Sequence, residues 1–386
     1  MTMTRPIAAA ALAALLLAAP LLAAPARAQE EIVIGAAIPI TGNFAATGIQ
    51  YYNSLRMAQD DVNAKGGING KKLRIAFEDT QSANSTAVNA YVKLVKQVKP
   101  PLVFLSSLSI QNLATEPEVT KAGVPALYSG ALVALSEKKN PLMFRIRPPD
   151  NLQAVVLAKG ITEILKAKKP AILHMQDDYG AGTAKLLEAE LKKHGMAFVA
   201  TETFSPRDND FSAQLLKIKN SGADLVISVT YNRDGALIMK QRRALGIDLP
   251  FLGTTAMFAA TTLDLVEPDD LKNVYAVGDV VLETRNDASK DFVKRYAERW
   301  GFKPDPYGAA YYDATMMIAD AIKKGGAEPE KLQAYFTNLK DWTGVSQDYW
   351  NSGDGGNNLA HSTVLVKFKP GTKEYEEVTT YRETKP

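Results

Sequence analysis

The 386-residue chain contains no cysteine. Disulfide bonds, thiolate metal ligands and a lipid-bearing cysteine are therefore excluded. Histidine is almost absent too: only three occur, at His174, His194 and His361, and they lie too far apart for the spacings of a zinc site. His174 ends a predicted strand, where we interpret it as a core or rim residue. This composition leads us to expect no cofactor and no metal ion.

The chain also lacks a strong net charge, which is formally +3. At the N-terminus, Arg5 precedes an apolar run from Ile7 to Ala24, and Ala26-Arg27-Ala28 has the small-x-small form of a signal-peptidase site. The run is interrupted by Pro20 and is short for a transmembrane anchor, which is the alternative interpretation. We therefore predict a signal peptide over residues 1–28, cleavage after Ala28 and export to the periplasm.

Long apolar runs are missing from the rest of the chain, where no stretch reaches 18 uninterrupted apolar residues. The exported protein is therefore expected to be soluble. Cleavage after Ala28 would remove two arginines and lower the formal charge from +3 to +1. A nearly neutral body gives no electrostatic reason to expect nucleic acid or an anionic membrane as a partner.

Catalytic motifs are missing as well. In YGAGTAK, Lys185 stands where a dinucleotide-binding fingerprint needs its third glycine. In the GGINGKK region, Lys65 and Lys72 occupy positions where a phosphate-binding loop needs glycine and Ser/Thr. No serine lies in a G-x-S-x-G elbow. The adjacent acids Asp177 and Asp178 precede a predicted helix and are interpreted as a solvated helix cap. We therefore do not expect an enzyme.

What the sequence does contain is a strand, loop, helix, turn and strand between Ile32 and Thr80. The run Ile32–Ile38 is apolar and suits a strand buried on both faces. Apolar residues then recur every three or four positions from Ile49 to Val62, which predicts one stripe of a helix. Ligands of parallel sheets bind beyond the carboxyl ends of the strands. The loop Pro39–Gly48 is therefore the first candidate for a ligand-contacting surface.

Strands and helices continue to alternate along the chain, which predicts parallel, doubly wound sheets. The alternation breaks at Phe144–Asn151, where a Pro pair excludes regular structure, and restarts afterwards. Helices that return late, followed by a terminal strand, indicate that the chain crosses between two lobes more than once. We assign residues 29–148 with about 278–352 to the first lobe and 149–277 with about 353–386 to the second. Such a connection makes a hinge.

A family resemblance rests on five segments: TGNFAATG, DVNAKGGINGKKL, the ED that follows, FR with PPD, and DDYGAG. Together they resemble the periplasmic solute-binding proteins of ABC transporters, in the branched-chain amino acid family. The resemblance implies an α/β fold, with two Rossmann-like lobes of parallel sheets joined by three crossovers. It also implies capture of a small carboxylate by hinge closure and delivery to ABC permease subunits. We expect the protein to be a monomer. A sensor that docks to a receptor is the alternative.

The same resemblance implies a set of ligand contacts in the loops beyond the strands. The serine loop, the segment LSSLS at residues 105–109, offers hydroxyl and amide donors for a carboxylate, and the choice between Ser107 and Ser109 stays open. The complete set is Thr47, Ser107, Ser109, Gly130, Ala131, Leu132, Tyr179, Tyr231, Thr255 and Tyr307.

Two departures from the family pattern bear on the ligand. Thr255 stands where amino-acid binders often carry an acid, and Leu132 stands where a hydroxyl is usual, so a site for an ammonium group is weakened. The remaining wall is aromatic: it consists of Tyr179, Tyr231 and Tyr307, with Phe258 as a further candidate. We expect an aromatic or other hydrophobic carboxylate without an amino group. If Asp234 or Asp279 turns inward, a branched-chain or other hydrophobic amino acid is the alternative.

Overall fold

The computed structural model describes residues 30–206 and 208–385, so the predicted signal peptide lies outside the described residues. Strands and helices alternate along the first part of the chain. Their bounds are β1 Glu31–Ile38, α1 Ala45–Ala64, β2 Lys72–Asp79, α2 Asn84–Lys93, β3 Val103–Phe104, α3 Ser109–Ala122, β4 Ala126–Tyr128, α4 Val133–Glu137, β5 Met143–Arg145 and α5 Asp150–Lys159. One π-helical turn extends α2 over Leu94–Val98, and another extends α5 over Gly160–Ile164.

The alternation continues in the second part of the chain, and several helices follow it. The bounds are β6 Pro170–Met175, α6 Asp178–Lys193, β7 Ala200–Phe204, α7 Ser212–Asn220, β8 Leu225–Val229, α8 Asn232–Ala244, β9 Phe251–Gly253, α9 Thr255–Phe258, α10 Ala260–Leu263, β10 Val274–Gly278, α11 Leu282–Arg285, α12 Asp287–Trp300, α13 Pro306–Gly325, α14 Pro329–Thr337, β11 Trp342–Thr343, β12 Asp348–Tyr349, β13 Ser362–Phe368 and β14 Tyr375–Arg382. None of the described helices combines the length and apolar character needed to span a bilayer.

The first unit of the chain forms as its pattern predicts. Strand β1 is almost entirely buried, and α1 buries Tyr51 and Leu55. The turn after α1 depends on Gly67, which has a φ of 76° and would place a Cβ only 2.1 Å from the carbonyl oxygen of Lys71. Glycine adopts this left-handed conformation without the steric cost that other residues meet.

The first sheet has five parallel strands in the order β2-β1-β3-β4-β5. The late helix α13 packs back against it, since Tyr311 and Ala314 share one buried cluster with Tyr51 and Leu55 of α1. The first lobe is therefore completed by a segment that follows the whole second sheet in the sequence.

The second sheet has seven strands in the order β14-β13-β10-β9-β8-β6-β7. Strand β13 runs antiparallel to β10, and β14 runs antiparallel to β13, so this sheet is mixed where parallel strands were predicted. The reason is the route of the chain: β13 enters the sheet from the other lobe, and a hairpin leads directly into β14. Strand β14, with the sequence YEEVTTYR, lies at the sheet edge, and all of its residues are partly or fully exposed. The sequence analysis did not predict it as a strand.

The chain passes between the two sheets three times: after β5, after β10 and before β13. Residues 357–359 still bond to the first sheet, because Arg145 N donates to Asn357 O and Leu359 N donates to Arg145 O, both at 2.9 Å. Thr363 Oγ1 then donates to Gly278 O at 2.7 Å, inside the second sheet. The predicted fold class, two α/β lobes joined by three crossovers, is confirmed, whereas the residue bounds assigned to each lobe stay a prediction.

Candidate ligand-binding cleft

A narrow cavity of about 20 Å³, room for about one water molecule, lies between the two lobes. Its lining comes from loops at the carboxyl ends of strands and from the first turns of the helices that follow. The lining residues are Pro39, Phe44, Thr47, Tyr51, Ser107, Leu108, Ser109, Ala131, Arg147, Gln153, Tyr179, Thr230, Tyr231, Asn232, Thr255 and Tyr307.

Most of the residues predicted to contact a ligand line this cavity. They are Thr47, Ser107, Ser109, Ala131, Tyr179, Tyr231, Thr255 and Tyr307. Residues 39 and 44 of the loop Pro39–Gly48 line it as well. Their common position follows from topology, because the carboxyl ends of parallel strands meet at one edge of each sheet. Direct binding by these side chains stays a prediction.

Gly130 and Leu132 do not line the cavity. Gly130 faces α3, where an added Cβ would lie 2.5 Å from Asn112 Nδ2. Leu132 is buried in a cluster of the first lobe, and its Cδ1 would lie 2.7 Å from a Cβ at Gly182. Phe258, the further aromatic candidate, packs edge-to-face against Tyr375 in the core of the second lobe. These three residues shape the structure around the cleft.

Arg147 is the main cavity residue that the sequence analysis did not identify. It follows β5 in the first crossover and is only 3% exposed. Its guanidinium forms a two-pronged ion pair with Asp279 of the second crossover: Nε donates to Oδ2, and Nη2 donates to Oδ1 at 2.8 Å. Nη1 donates to Ser129 O at 3.1 Å, and the ring of Tyr307 lies 4.1 Å from the guanidinium carbon. Three of its five N–H groups are thus used by the protein.

Burial by itself disfavours the charge on Arg147, but the charge and hydrogen bonds of Asp279, together with the neighbouring Tyr307 and Tyr51, outweigh this effect and hold the pKa of Arg147 above its usual value. Arg147 is also the only charged side chain among the described residues that line the cavity. Asp279 sits behind it and also accepts a hydrogen bond from Thr255 Oγ1 at 3.3 Å. Thr255 therefore touches the ion pair as well as the cavity.

Asp234, the other acid considered as an ammonium partner, lies outside this lining. It belongs to the first turn of α8, forms an ion pair with Arg233 at 3.3 Å and borders a separate groove at the outer side of the cleft. Neither Asp234 nor Asp279 therefore presents an unpaired carboxylate to the cavity.

The serine loop forms the first-lobe wall. Ser109 is the first residue of α3, and its Oγ accepts a hydrogen bond from Leu132 N at 3.2 Å. The hydroxyl of Ser107 is hydrogen-bonded to Tyr51 Oη. The N-terminus of a 14-residue helix with a serine at its start offers amide and hydroxyl donors to an anion.

Aromatic rings form the opposite wall and meet the first lobe. Tyr231 stacks on Tyr179 at 5.2 Å, and Tyr179 Oη donates to Thr254 Oγ1 at 3.2 Å. Tyr231 also contacts Phe44 of the first lobe edge-to-face, with 5.0 Å between the ring centres. Burial raises the pKa of both tyrosines, so their hydroxyls stay neutral at ordinary pH.

Two further buried acids surround the Arg147 pair without lining the cavity. Burial raises the pKa of Asp150, at the start of α5, to about 6, although Arg145 and Arg147 oppose that shift. Burial likewise raises the pKa of Asp305 to about 7, although its hydrogen bond from Gly308 N and the charge of Arg147 oppose it. Asp305 is the N-cap of α13, next to the cavity residue Tyr307.

Outside the cavity, Asp177 is the N-cap of α6, as predicted, with its side chain accepting from Gly180 N at 2.8 Å. His174 is almost buried, and its Nδ1 is hydrogen-bonded to Met175 O, which fits the core or rim role assigned to it. In the part of the chain that the structure describes, His, Cys, Asp and Glu side chains form no group suited to hold a metal ion.

Comparison with known proteins gives consistent relatives. An amino acid binding protein of Pseudomonas aeruginosa is 30% identical over 326 residues, which is 83% of this chain and 86% of the relative. A branched-chain amino acid transporter substrate binding protein of Streptococcus pneumoniae, solved in complex with isoleucine, superposes with a TM-score of 0.81 at 26% identity, covering 90% of this chain and 99% of that one.

A solute binding protein of an ABC transporter from Rhodopseudomonas palustris, solved with 3,4-dihydroxybenzoic acid, superposes with a TM-score of 0.82 at 19% identity, covering 92% of this chain and 99% of that one. At that identity the likeness is one of fold. Residues 31–373 match the sequence model of the family described as Periplasmic binding protein, whose members are periplasmic. The chain therefore belongs to the periplasmic binding protein family, as a non-enzymatic solute-binding component of an ABC transporter.

Proposed function

We propose that this protein captures an aromatic or other hydrophobic carboxylate that lacks an amino group and delivers it to the permease subunits of its transporter. The observation that carries this proposal is the charge of the cavity lining. Among the described lining residues, Arg147 is the only charged one, and its partner Asp279 is held on the far side by two hydrogen bonds. An anionic ligand meets a cation here, whereas an ammonium group meets no unpaired carboxylate.

The electrostatics of the helices support an anion for a second reason. The lining includes first-turn residues of several long helices, among them Ser109 of α3, Asn232 of α8 and Tyr307 of α13. The positive ends of helix dipoles favour negative charge within the first turn. A zwitterionic amino acid would gain the same attraction for its carboxylate, but its ammonium would be buried among these same positive ends.

The shape and polarity of the walls support an aromatic body for the ligand. Phe44, Tyr179, Tyr231 and Tyr307 supply flat faces on both sides of the cavity. Thr230 also lines the cavity, and its buried hydroxyl, which lies next to Gly235 of α8, has no hydrogen-bond partner among the described residues. In this arrangement the carboxylate binds between the serine loop, at Ser107 or Ser109, and Arg147.

Capture follows from the hinge. The ligand binds one lobe first, and closure then brings the other wall over it and excludes water. The contact between Phe44 and Tyr231 joins loops of the two lobes in the closed cleft. The closed protein docks to the permease in the inner membrane, after export directed by the predicted signal peptide over residues 1–28.

A hydrophobic amino acid is the second candidate, because the Pseudomonas relative is named for amino acids and the Streptococcus structure holds isoleucine. The group on which the proposal depends is the ammonium, which the aromatic acids lack. Calorimetric titration of ligand-free protein with benzoate, 4-hydroxybenzoate, cinnamate, leucine and isoleucine separates them. Micromolar or tighter binding of an aromatic acid, with no heat from leucine or isoleucine, is the expected result. Tight leucine binding without a response to the aromatic acids would refute the proposed ligand class.

The variant Arg147→Met tests the anchor in the same titration. It keeps an unbranched apolar stem and removes the cation, so we expect at least a tenfold loss of benzoate affinity. The matched control is Arg145→Met: Arg145 is fully buried two residues earlier, at the end of β5, but bonds to the carbonyl oxygens of Ala131 and Leu132 and does not line the cavity. An effect of equal size in both variants would indicate general loosening of the crossover instead of a lost anchor.

A further inference from the structure

The Arg147 pair lies among more buried acid than it can neutralise. Asp279 takes two N–H groups of Arg147, yet Asp150 and Asp305 are also buried nearby, at 0% and 1% exposed, and both feel the charge of Arg147. Arg145, the second buried cation, also acts on Asp150. The cluster therefore holds three carboxyls around one arginine of the cavity, with a second arginine whose charge acts on one of them.

The hydrogen bonds of the two outer carboxyls are incomplete. Asp150 Oδ2 accepts from Thr183 Oγ1 at 3.2 Å, and its Oδ1 has no partner among the described residues. Asp305 Oδ1 accepts from Gly308 N at 2.8 Å, and its Oδ2 likewise has no partner there. A buried carboxylate needs donors on both oxygens, whereas a neutral carboxyl needs fewer, so this geometry favours the protonated form.

A ligand carboxylate changes the balance of charge at this cluster. When it binds Arg147, one more negative charge enters a closed cavity from which water is excluded. That charge repels ionised Asp150 and Asp305 and competes with them for the field of Arg147. Both effects favour the neutral carboxyls.

We propose that Asp150 and Asp305 take up protons when the cleft captures an anionic ligand, so that capture is proton-linked. The inference rests on the proposed function, since it requires a carboxylate at Arg147. The proton comes from solvent or buffer and adds to a carboxylate oxygen, with no covalent step between protein and ligand. Affinity should then fall as the pH rises, because the ligand-bound protein holds more protons than the free protein.

Other titratable groups face the two carboxyls, and the tyrosines and arginines among them do not carry the effect. The tyrosines stay neutral across this pH range because burial raises the pKa of each, and the arginines stay charged. The facing groups are Arg145, Arg147 and Asp279 together with Tyr51, Tyr179, Tyr231, Tyr296 and Tyr307.

The magnitude follows from the starting pKa values, about 7 for Asp305 and about 6 for Asp150. If capture raises each by about one unit, each carboxyl takes up about 0.4 proton at pH 7. The dissociation constant then rises up to about tenfold per carboxyl between pH 5 and pH 9.

Calorimetry with benzoate at pH 7, in phosphate, HEPES and Tris, tests the proposal, because benzoate itself does not titrate near pH 7. The slope of apparent enthalpy against buffer ionisation enthalpy counts the protons taken up. A positive slope is expected, and a slope of zero would overturn the inference even though benzoate binds. If leucine binds and benzoate does not, the proposed ligand class fails, and the same slope measured with leucine still decides whether the cluster takes up protons.

Two variants assign the protons. Asp305→Asn keeps an N-cap acceptor for Gly308 N, and Asp150→Asn keeps an acceptor for Thr183, while neither can ionise. Each should lower the slope by about half. The control Asp234→Asn removes a carboxyl whose pKa burial also raises, to about 6, but which lies outside the cavity lining, and it should leave the slope unchanged. An equal loss of slope in Asp234→Asn would assign the proton to a general effect of closure.

Discussion

The edge-to-face contact between Phe44 and Tyr231 gives the most direct test of capture by closure. Phe44 precedes α1 in the first lobe, and Tyr231 precedes α8 in the second, so the contact exists only while the lobes are together. By contrast, the stacking of Tyr231 on Tyr179 lies within the second lobe and persists in an open form. Removing Phe44 should therefore weaken capture, both through the lost contact between the lobes and through the part of the cavity wall that Phe44 forms.

The expected size comes from the geometry of the rings. An edge-to-face pair of this kind contributes about 0.5–1.5 kcal/mol beyond the area it buries. Phe44→Ala should accordingly raise the dissociation constant by about 2- to 13-fold through this contact. Phe44 and Tyr231 both line the cavity as well, so each single variant loses a ligand contact of comparable size in addition, and its dissociation constant should rise by about 5- to 150-fold in total.

A double-mutant cycle isolates the contact between the lobes. Calorimetry on the wild type, both single variants and the double variant should give a coupling energy of about 0.5–1.5 kcal/mol for ligand binding. Tyr335→Ala is the control, since Tyr335 meets Phe336 with similar geometry, at 5.3 Å and 87°, inside the first lobe. It should change the free energy of unfolding and leave affinity within about twofold. A coupling energy indistinguishable from zero would refute the role of this contact in capture.

Three further perturbations test the hinge, the buried acids and the loop after β1. Asp279→Asn should lower the free energy of unfolding in urea by about 3–5 kcal/mol, because it leaves Arg147 as an uncompensated buried charge. Arg147→Met combined with Asp279→Leu should recover most of that free energy without restoring benzoate binding. Recovery of benzoate binding would contradict the role of Arg147 as the carboxylate anchor. Burial raises the pKa of Asp150 to about 6 and of Asp305 to about 7, above an unfolded value of about 4, so the folded state binds more protons than the unfolded state. The free energy of unfolding should therefore fall as the pH rises from about 4 to about 7, and Asp305→Asn should reduce that slope. A flat profile in urea titrations would argue against these shifts. Gly48→Ala would place a Cβ 1.7 Å from Pro39 O and should displace the loop and lower affinity at least tenfold, whereas Gly325→Ala at the end of α13 meets open space; equal affinities in both variants would mean that the loop does not contribute.

Local patterns were enough to predict most of the fold. The run PAILHM is completely buried and forms β6 with those same bounds. A short, mainly apolar run flanked by lysines and acids is typical of a strand buried on both faces of a parallel sheet. The periodic stripe before AKGGING forms α1, and its glycines end the helix with positive φ values at Gly66 and Gly67. The site loops could be predicted for the same reason, since a parallel strand determines where the next loop lies.

Long-range pairing could not be predicted from such patterns. The sequence places Arg147 in a crossover but does not identify it as a cavity residue. Its partner Asp279 lies 132 residues away, and no local signal joins the two. The antiparallel entry of β13 next to β10 depends on a chain that returns from the other lobe, and the partly exposed edge strand β14 carries no apolar run. Gly130 and Leu132 follow β4 as the sequence indicated, but their side of the loop faces α3 and the lobe core. Which face of a loop meets a cavity is decided by tertiary packing.

The position of the Arg147 pair explains how binding and closure can be one event. Arg147 lies in the first crossover and Asp279 in the second, and Gln347 Nε2, near the third, donates to Asp279 O at 2.9 Å. Ser362 Oγ, just past the third crossover, donates to Gln347 Oε1 at 2.5 Å. A buried network of this kind has few alternative arrangements, because each broken bond leaves an uncompensated polar group. If a ligand carboxylate binds Arg147, its charge acts on the connections about which the lobes turn, and a ligand without that charge lacks this means of favouring the closed form.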